Sequence, residues 1–137
     1  MAEQTFQESI IDEFRANGGV VTRPYPDSTL VLVTLQGARS GRRMTLPLEY
    51  LELDGVVHVF ATAGGAPRNP AWYHNLVANP EVTVEYGTET FTADVTELSV
   101  DDSQAKIQAQ ARLMPQFGEY VKTAAPRIIP AFTFTRA

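Results

Sequence analysis

The sequence predicts a small, mainly antiparallel β-barrel with peripheral helices, and three observations carry that expectation. Short apolar runs rich in β-formers recur along the chain: Leu30–Leu35, Met44–Leu53, Val56–Thr62, Val82–Tyr86, Thr90–Leu98 and Ala131–Thr135. Asp54-Gly55 stands between the second and third runs as a two-residue hairpin signal, which makes those neighbours antiparallel. Helical patterns are few beside these six strands, the balance expected of a barrel rather than of a sheet wound between helices.

The elements follow in order. Thr5 and Glu8 have capping-box spacing, and Phe6, Ile10 and Phe14 recur every four residues, predicting an amphipathic helix over about residues 6–17 ended by Gly18-Gly19. Pro24 and Pro26 predict an extended connection. Leu30–Leu35 is a β-rich apolar run, read as a buried strand. In Met44–Leu53, Pro47 lacks an N–H and predicts an edge or a bulge. The segment Ala63–Asn69 is a Gly/Pro-rich loop, after which Asn69 is placed to cap a helix that starts at Pro70 and stops at Asn79-Pro80. Gly87 marks a turn between the next two strands. Leu98 to Lys122 reads as mostly helical, entered through Ser99, Asp101 or Asp102 and interrupted near Pro115. No repeat, low-complexity tract or linker divides residues 1–137, so one domain is expected.

Composition narrows the function. The chain has no cysteine, which excludes disulfides, thiolate metal sites and thiol redox chemistry. No apolar run approaches the length of a membrane span, and the first residues lack the pattern of a signal peptide, so a cytoplasmic protein is expected. The net charge of −5 argues against a nucleic-acid binder, which needs a broad basic face. The first helix offers an amphipathic face to a membrane, but Glu8, Asp12 and Glu13 oppose an anionic lipid surface.

Against that acidic background, GARSGRR concentrates Arg39, Arg42 and Arg43 beside Gly37, Ser40 and Gly41. Three guanidinium groups so close repel one another unless an anion or solvent relieves them. Arginine grips phosphate and carboxylate with a planar fork, so the stretch reads either as a seat for a small polyanion or as a solvated turn. The usual catalytic constellations are missing: there is no nucleophile elbow, phosphate-binding loop or dinucleotide fingerprint. The two histidines, His58 on a strand and His74 within a helix, have no zinc spacing and read as structural or half exposed; no metal site is expected. Glu49 reads as an edge carboxylate, or as a functional group if buried. A chain so poor in acid–base groups can still catalyse if a bound cofactor carries the chemistry. Thr62 before Ala63-Gly64-Gly65 would then allow a planar ring to approach bare backbone, unless those glycines serve only a turn. Arg68 and the following helix start could add an anion contact. Trp72 and Tyr73 read as core or as a cofactor edge.

Two segments, GARSGRRMTLPLEYLELDG and ATAGGAPRNPAWYHNLVANPEVTVEYG, occur in the order and spacing of a known pattern. The chain strongly resembles the deazaflavin-dependent nitroreductase family over about residues 30–135. That resemblance implies a six-stranded antiparallel split β-barrel of the FMN-binding split-barrel type, coenzyme F-420, and hydride transfer from the reduced deazaflavin to an electron-poor acceptor such as a quinone, nitroaromatic or unsaturated lactone. It implies that Arg39, Ser40, Gly41 and Arg42 hold the phosphate and oligoglutamate tail, joined by Arg68. Thr62, Ala63, Gly64 and Gly65 would line the ring, with Met44, Pro47, Asn69, Pro70, Trp72 and Tyr73 shaping the walls. Ala63 replaces a lysine common in the family, and Met44 replaces a basic residue. The substrate pocket, rich in tyrosine elsewhere in the family, would be formed by Glu49, Met114, Phe117 and Tyr120, leaving Tyr120 as the phenol available to donate a proton. A flavin mononucleotide enzyme of the same barrel and a non-catalytic F-420 carrier are the competing readings; the assembly is expected to be a monomer or homodimer.

Overall fold

The computed structural model describes residues 5–23 and 29–137; the expected extended connection at Pro24 and Pro26 lies outside them. Helix α1 (Phe6–Ala16) precedes strands β1 (Leu30–Gln36), β2 (Arg43–Glu49), β3 (Leu51–Leu53) and β4 (Val56–Phe60). A single turn of tight helix, Ala63–Gly65, leads to α2 (Ala71–Ala78), β5 (Glu81–Tyr86) and β6 (Glu89–Glu97). Helices α3 (Val100–Leu113) and α4 (Gln116–Ala124) and strand β7 (Ala131–Arg136) complete the chain.

All strand pairs are antiparallel, in the order β2-β1-β5-β6-β7-β4-β3. The two outermost strands, β2 and β3, are separated along the chain by Tyr50 alone. One stretch of backbone therefore passes from one end of the sheet to the other and curls it into a split barrel. The expected six strands become seven because Met44–Leu53 changes partner at Tyr50: its N–H still donates to the Thr29 carbonyl at 3.1 Å, in register with the Leu30–Glu49 pair, whereas Leu51 passes on to His58 of β4. Pro47 sits opposite Leu32 in terminal strand β2, where a missing N–H costs no inner ladder bond. Asp54 and Gly55 both have positive φ, 53° and 77°, as a type I′ hairpin requires.

Two-residue periodicity divides the side chains among three cores. Val31, Val33 and Leu35 of β1, Val57 and Val59 of β4, and Phe132 and Phe134 of β7 fill the barrel. The alternate residues Leu30 and Leu32 pack with Ile10, Ile11, Phe14 and Val21 beneath α1. Phe60 and Ala131 pack with Ile107, Phe117, Ala124 and Ile129 beneath α3 and α4. Strand β1 is thus buried on both faces, which is why its sequence is apolar without alternation. Helix α1 is capped as expected, Thr5 Oγ1 accepting from Glu8 N at 3.0 Å. Its buried face is Ile10, Ile11 and Phe14, whereas Phe6 is 59% exposed and lies under the Arg23 guanidinium. Ser99 caps α3, accepting from Asp102 N at 3.1 Å. His58 is buried, its Nδ1 3.0 Å from the Val56 carbonyl.

Candidate functional site

Two adjoining clefts lie between β2 and α2. The first is formed by the arginine loop joining β1 to β2. Gly37 N donates to the Arg42 carbonyl at 2.8 Å, Gly41 N to the Gly37 carbonyl at 3.1 Å, and Arg42 N to Ser40 Oγ at 3.1 Å. Ala38 N donates to Asn75 Oδ1 at 2.9 Å, so α2 holds the loop in place. Arg39, Ser40, Gly41 and Arg42 are exposed, and among the described residues neither Arg39 nor Arg42 has a carboxylate partner. Arg43 leans back on the sheet, its Nη2 3.4 Å from Thr83 Oγ1. The cleft, ≈ 500 Å³, is lined by Arg39, Ser40 and Met44 on one side and by Ala71, His74 and Asn75 on the other. His74 is exposed there.

The second cleft, ≈ 260 Å³, is bounded by Pro47, Leu48 and Glu49 of β2, by Thr62, Ala63 and Gly64, by Trp72 of α2, and by Gln116, Phe117 and Tyr120 of α4. Met44 and Pro47 lie three residues apart on one strand, about 10 Å, and Ala71 and Trp72 are consecutive. Side by side along β2 and the start of α2, and with no lining residue in common, the two clefts make up a trough that is cationic at one end and flat-walled at the other. Glu49 Oε2 accepts from both Thr29 N and Thr29 Oγ1, each at 3.1 Å, which orients the carboxylate at the cleft wall.

The loop after β4 has unusual backbone geometry. Thr62 is right-handed (φ −73°, ψ −37°) and Ala63 left-handed (φ 48°). Such an opposed pair turns successive N–H groups to one side; here Thr62 N already donates to the Phe60 carbonyl at 2.9 Å. Left-handed geometry costs a non-glycine residue about 1–2 kcal/mol. Gly64 (φ 64°) faces open space, with nothing within 4 Å of where a Cβ would sit. Gly65 (φ 85°) faces the protein: a Cβ there would lie 2.0 Å from Thr123 Oγ1 and 3.1 Å from Tyr120 Cα. Of the paired glycines, one leaves the cleft open and the other lets the loop seat on α4.

Arg127, in the connection before β7, holds this loop from behind. Its Nε donates to the Ala66 carbonyl at 3.0 Å; Nη1 donates to the Ala61 carbonyl at 3.0 Å and to Asn69 Oδ1 at 2.7 Å; Nη2 donates to the carbonyls of Thr62 and Ala66, each at 2.8 Å. Burial pulls this guanidinium below its ordinary pKa. The expected cap at Asn69 is replaced by this contact: α2 begins after Pro70 without a side-chain cap, because the Asn69 carbonyl oxygen is engaged by Arg127.

The structure brings together Pro47, Glu49, Thr62, Ala63, Gly64, Trp72, Phe117 and Tyr120 at one end of the trough, and Arg39, Ser40 and Met44 at the other, with Gly41 and Arg42 on the same loop. Beyond these, six expected residues line neither cleft; of the six, Asn69 is engaged by Arg127 and Pro70 immediately precedes α2. Tyr73 donates its hydroxyl to Glu97 Oε2 at 3.0 Å and stacks on Phe132; burial, then that carboxylate, raises its pKa. Met114 accepts from Gln110 Nε2 at 3.4 Å under α3, where the helix break turns it from the cleft; Gln116 lines the cleft instead. Arg68 is exposed and lines neither cleft, and Gly65 is buried against α4. Arg127, Asn75, His74 and Gln116 were not among the expected residues. A lone arginine in the apolar run PRIIPAF was the signal available for the first.

A curled antiparallel barrel with a trough of this form defines a class, and comparison with known proteins specifies it. The family model for F-420H(2)-dependent quinone reductase matches residues 8–135, and the chain belongs to that family of deazaflavin-dependent oxidoreductases. An F-420H(2)-dependent quinone reductase of Mycobacterium tuberculosis is 39% identical over 66 residues, 48% of this chain. That match spans 43% of the relative's own length, less than half of it. Among solved structures, one described as an F-420-H2 dependent reductase is 32% identical with a TM-score of 0.69, covering 84% of this chain and 96% of the other. One described as a domain-swapped dimer is 29% identical with a TM-score of 0.71, covering 90% and 92%. Among the described residues no helix is long and apolar enough to cross a membrane, and no three His, Cys, Asp or Glu side chains are grouped to hold a metal.

Proposed function

We propose that this chain binds coenzyme F-420 along the trough and uses its reduced form to reduce an electron-poor organic acceptor, a quinone in the first instance. The observation that carries the reading is the trough's polarity. Guanidinium groups at one end, without a carboxylate partner among the described residues, suit a phosphate and its carboxylate tail. Bare backbone at Gly64 and the Trp72 ring at the other suit a planar head. When bound, the coenzyme supplies a hydride from its ring carbon. The chain's residues do the rest. Arg39, Ser40 and Arg42 hold the tail; Thr62 and the Ala63–Gly64 backbone orient the ring; Pro47 and Trp72 narrow the cleft and exclude water. Phe117 gives the acceptor an apolar face, and Tyr120 holds a proton at its hydroxyl for the reduced oxygen. A homodimer is consistent with the domain-swapped relative.

Fluorescence titration of the purified protein with F-420 tests the reading. Micromolar binding is expected, weakened at least tenfold in Arg39→Ala by loss of a charge-assisted contact, and weakened by salt because the grip is electrostatic. Reduced coenzyme should then be oxidised on adding a quinone. A protein that ignores F-420 and retains flavin mononucleotide would refute it, and binding without turnover across quinones, nitroaromatics and enones would leave a carrier.

A further inference from the structure

We propose that Arg127 is a positioning residue for the ring-side cleft, acting through the loop Ala61–Ala66 and never touching the ligand itself. Its part in coenzyme binding rests on the function proposed above; its part in ordering the loop does not.

Four features carry the assignment. All five N–H donors of the guanidinium are used, on four acceptors: the carbonyls of Ala61, Thr62 and Ala66, and Asn69 Oδ1. Only the planar, five-donor fork of arginine meets such a set; lysine has three donors and no plane. Three carbonyls of one short loop are drawn to a single side, and Thr62, Ala63 and Gly64 are the residues that line the cleft. The loop contains a non-glycine residue in left-handed geometry, which persists only where its surroundings over-determine it, and Arg127 supplies that constraint. Finally, among the described residues Arg127 has no carboxylate partner. A half-buried cation solvated only by neutral oxygens stands immediately behind the cleft wall. The wall is therefore held in shape and biased towards negative charge on whatever lies against it.

The test compares wild type with Arg127→Lys, which keeps the charge and loses the fork, and Arg127→Gln, which loses both. Hydrogen exchange of the backbone amides in residues 61–66 is measured on the free protein, and F-420 affinity by fluorescence. In both variants the loop amides should exchange at least about tenfold faster while those of β1 and β5 are unchanged, the pattern of local rather than global opening. Coenzyme affinity should fall about tenfold in Arg127→Lys and further in Arg127→Gln, since the lost charge adds to the lost order. A merely structural role predicts equal affinity once the variants are folded. Wild-type exchange in the loop of Arg127→Lys, or wild-type affinity in both variants, overturns the assignment. If neither variant folds, Asn69→Ala removes one acceptor and leaves the cation; unchanged loop exchange in that protein overturns it equally. A wild-type protein that takes up no F-420 refutes the proposed function alone, and the exchange data then decide the assignment.

Discussion

Gly64 and Gly65 are neighbours of the same residue type with opposite obligations. A methyl at Gly65 has no room, 2.0 Å from Thr123 Oγ1, and Gly65→Ala is expected to cost about 2 kcal/mol or more, lowering Tm by roughly 5–10 °C. A methyl at Gly64 meets nothing, so Gly64→Ala should cost no more than the left-handed penalty of about 1–2 kcal/mol. Its effect should fall on coenzyme affinity, because the methyl would occupy the space a planar head needs. Thermal melts and F-420 titrations of the two variants separate these outcomes. Tyr120→Phe keeps the ring that packs on Phe117 and removes the hydroxyl. It is expected to leave coenzyme affinity unchanged and to lower kcat for a quinone about 100-fold, the usual contribution of a positioned acid; an unchanged kcat would remove Tyr120 as the proton donor. At this scale the sequence was informative where chemistry is local. Arg39 and Ser40 could be picked out because residue type and spacing offer an anion seat, with a solvated turn as the alternative; the paired glycines read equally as a turn, and only Gly64 of the two lies on the cleft. Arg127 and Asn75 could not, since their partners lie 61 and 37 residues away along the chain.

Helix α1 illustrates how an element can be legible at one end and not at its face. The Thr5 cap needs only the next three residues, so spacing sufficed. Which hydrophobic residues pack depended on where the helix crosses the sheet, and Ile11 rather than Phe6 is buried. The helix is also tied down by Glu13, which accepts from the backbone N–H of Thr22; that contact first, and the neighbouring Arg23 after it, hold its pKa below the usual 4.5. A depressed carboxylate pKa contributes stability that is complete above the unfolded value and is lost as pH falls through the folded one. Wild type should therefore be more stable than Glu13→Gln at neutral pH, and the gap should close progressively below pH 4.5. Melting both proteins across that range checks it; a gap that widens with acid would be the wrong sign. Helix α2 shows the opposite failure of local reading. Asn69 followed by Pro70 is a good local start signal, yet a distant guanidinium competes for the same oxygen and takes it.

At the scale of the molecule, the barrel was readable because its strands are short, β-rich and separated by turn chemistry. The seventh strand was not, because at Tyr50 the chain leaves β1 for β4, a change of partner that spacing cannot reveal. The barrel core and the trough are also one packed unit: Phe132, 1% exposed, contacts both Trp72 and Tyr73 from inside. Phe132→Ala is expected to cost about 3–5 kcal/mol, and, since Trp72 would lose its backing, to weaken F-420 binding in whatever fraction remains folded; calorimetry and titration on the same sample check both. Because Asn75 fastens the arginine turn to the helix that also bears Trp72, the two ends of the trough are tied through one element, like the jaws of a caliper. Molecules whose charged end and aromatic end are spaced differently would engage one jaw or the other but not both, so the chain would sort redox coenzymes by span before it sorts them by chemistry.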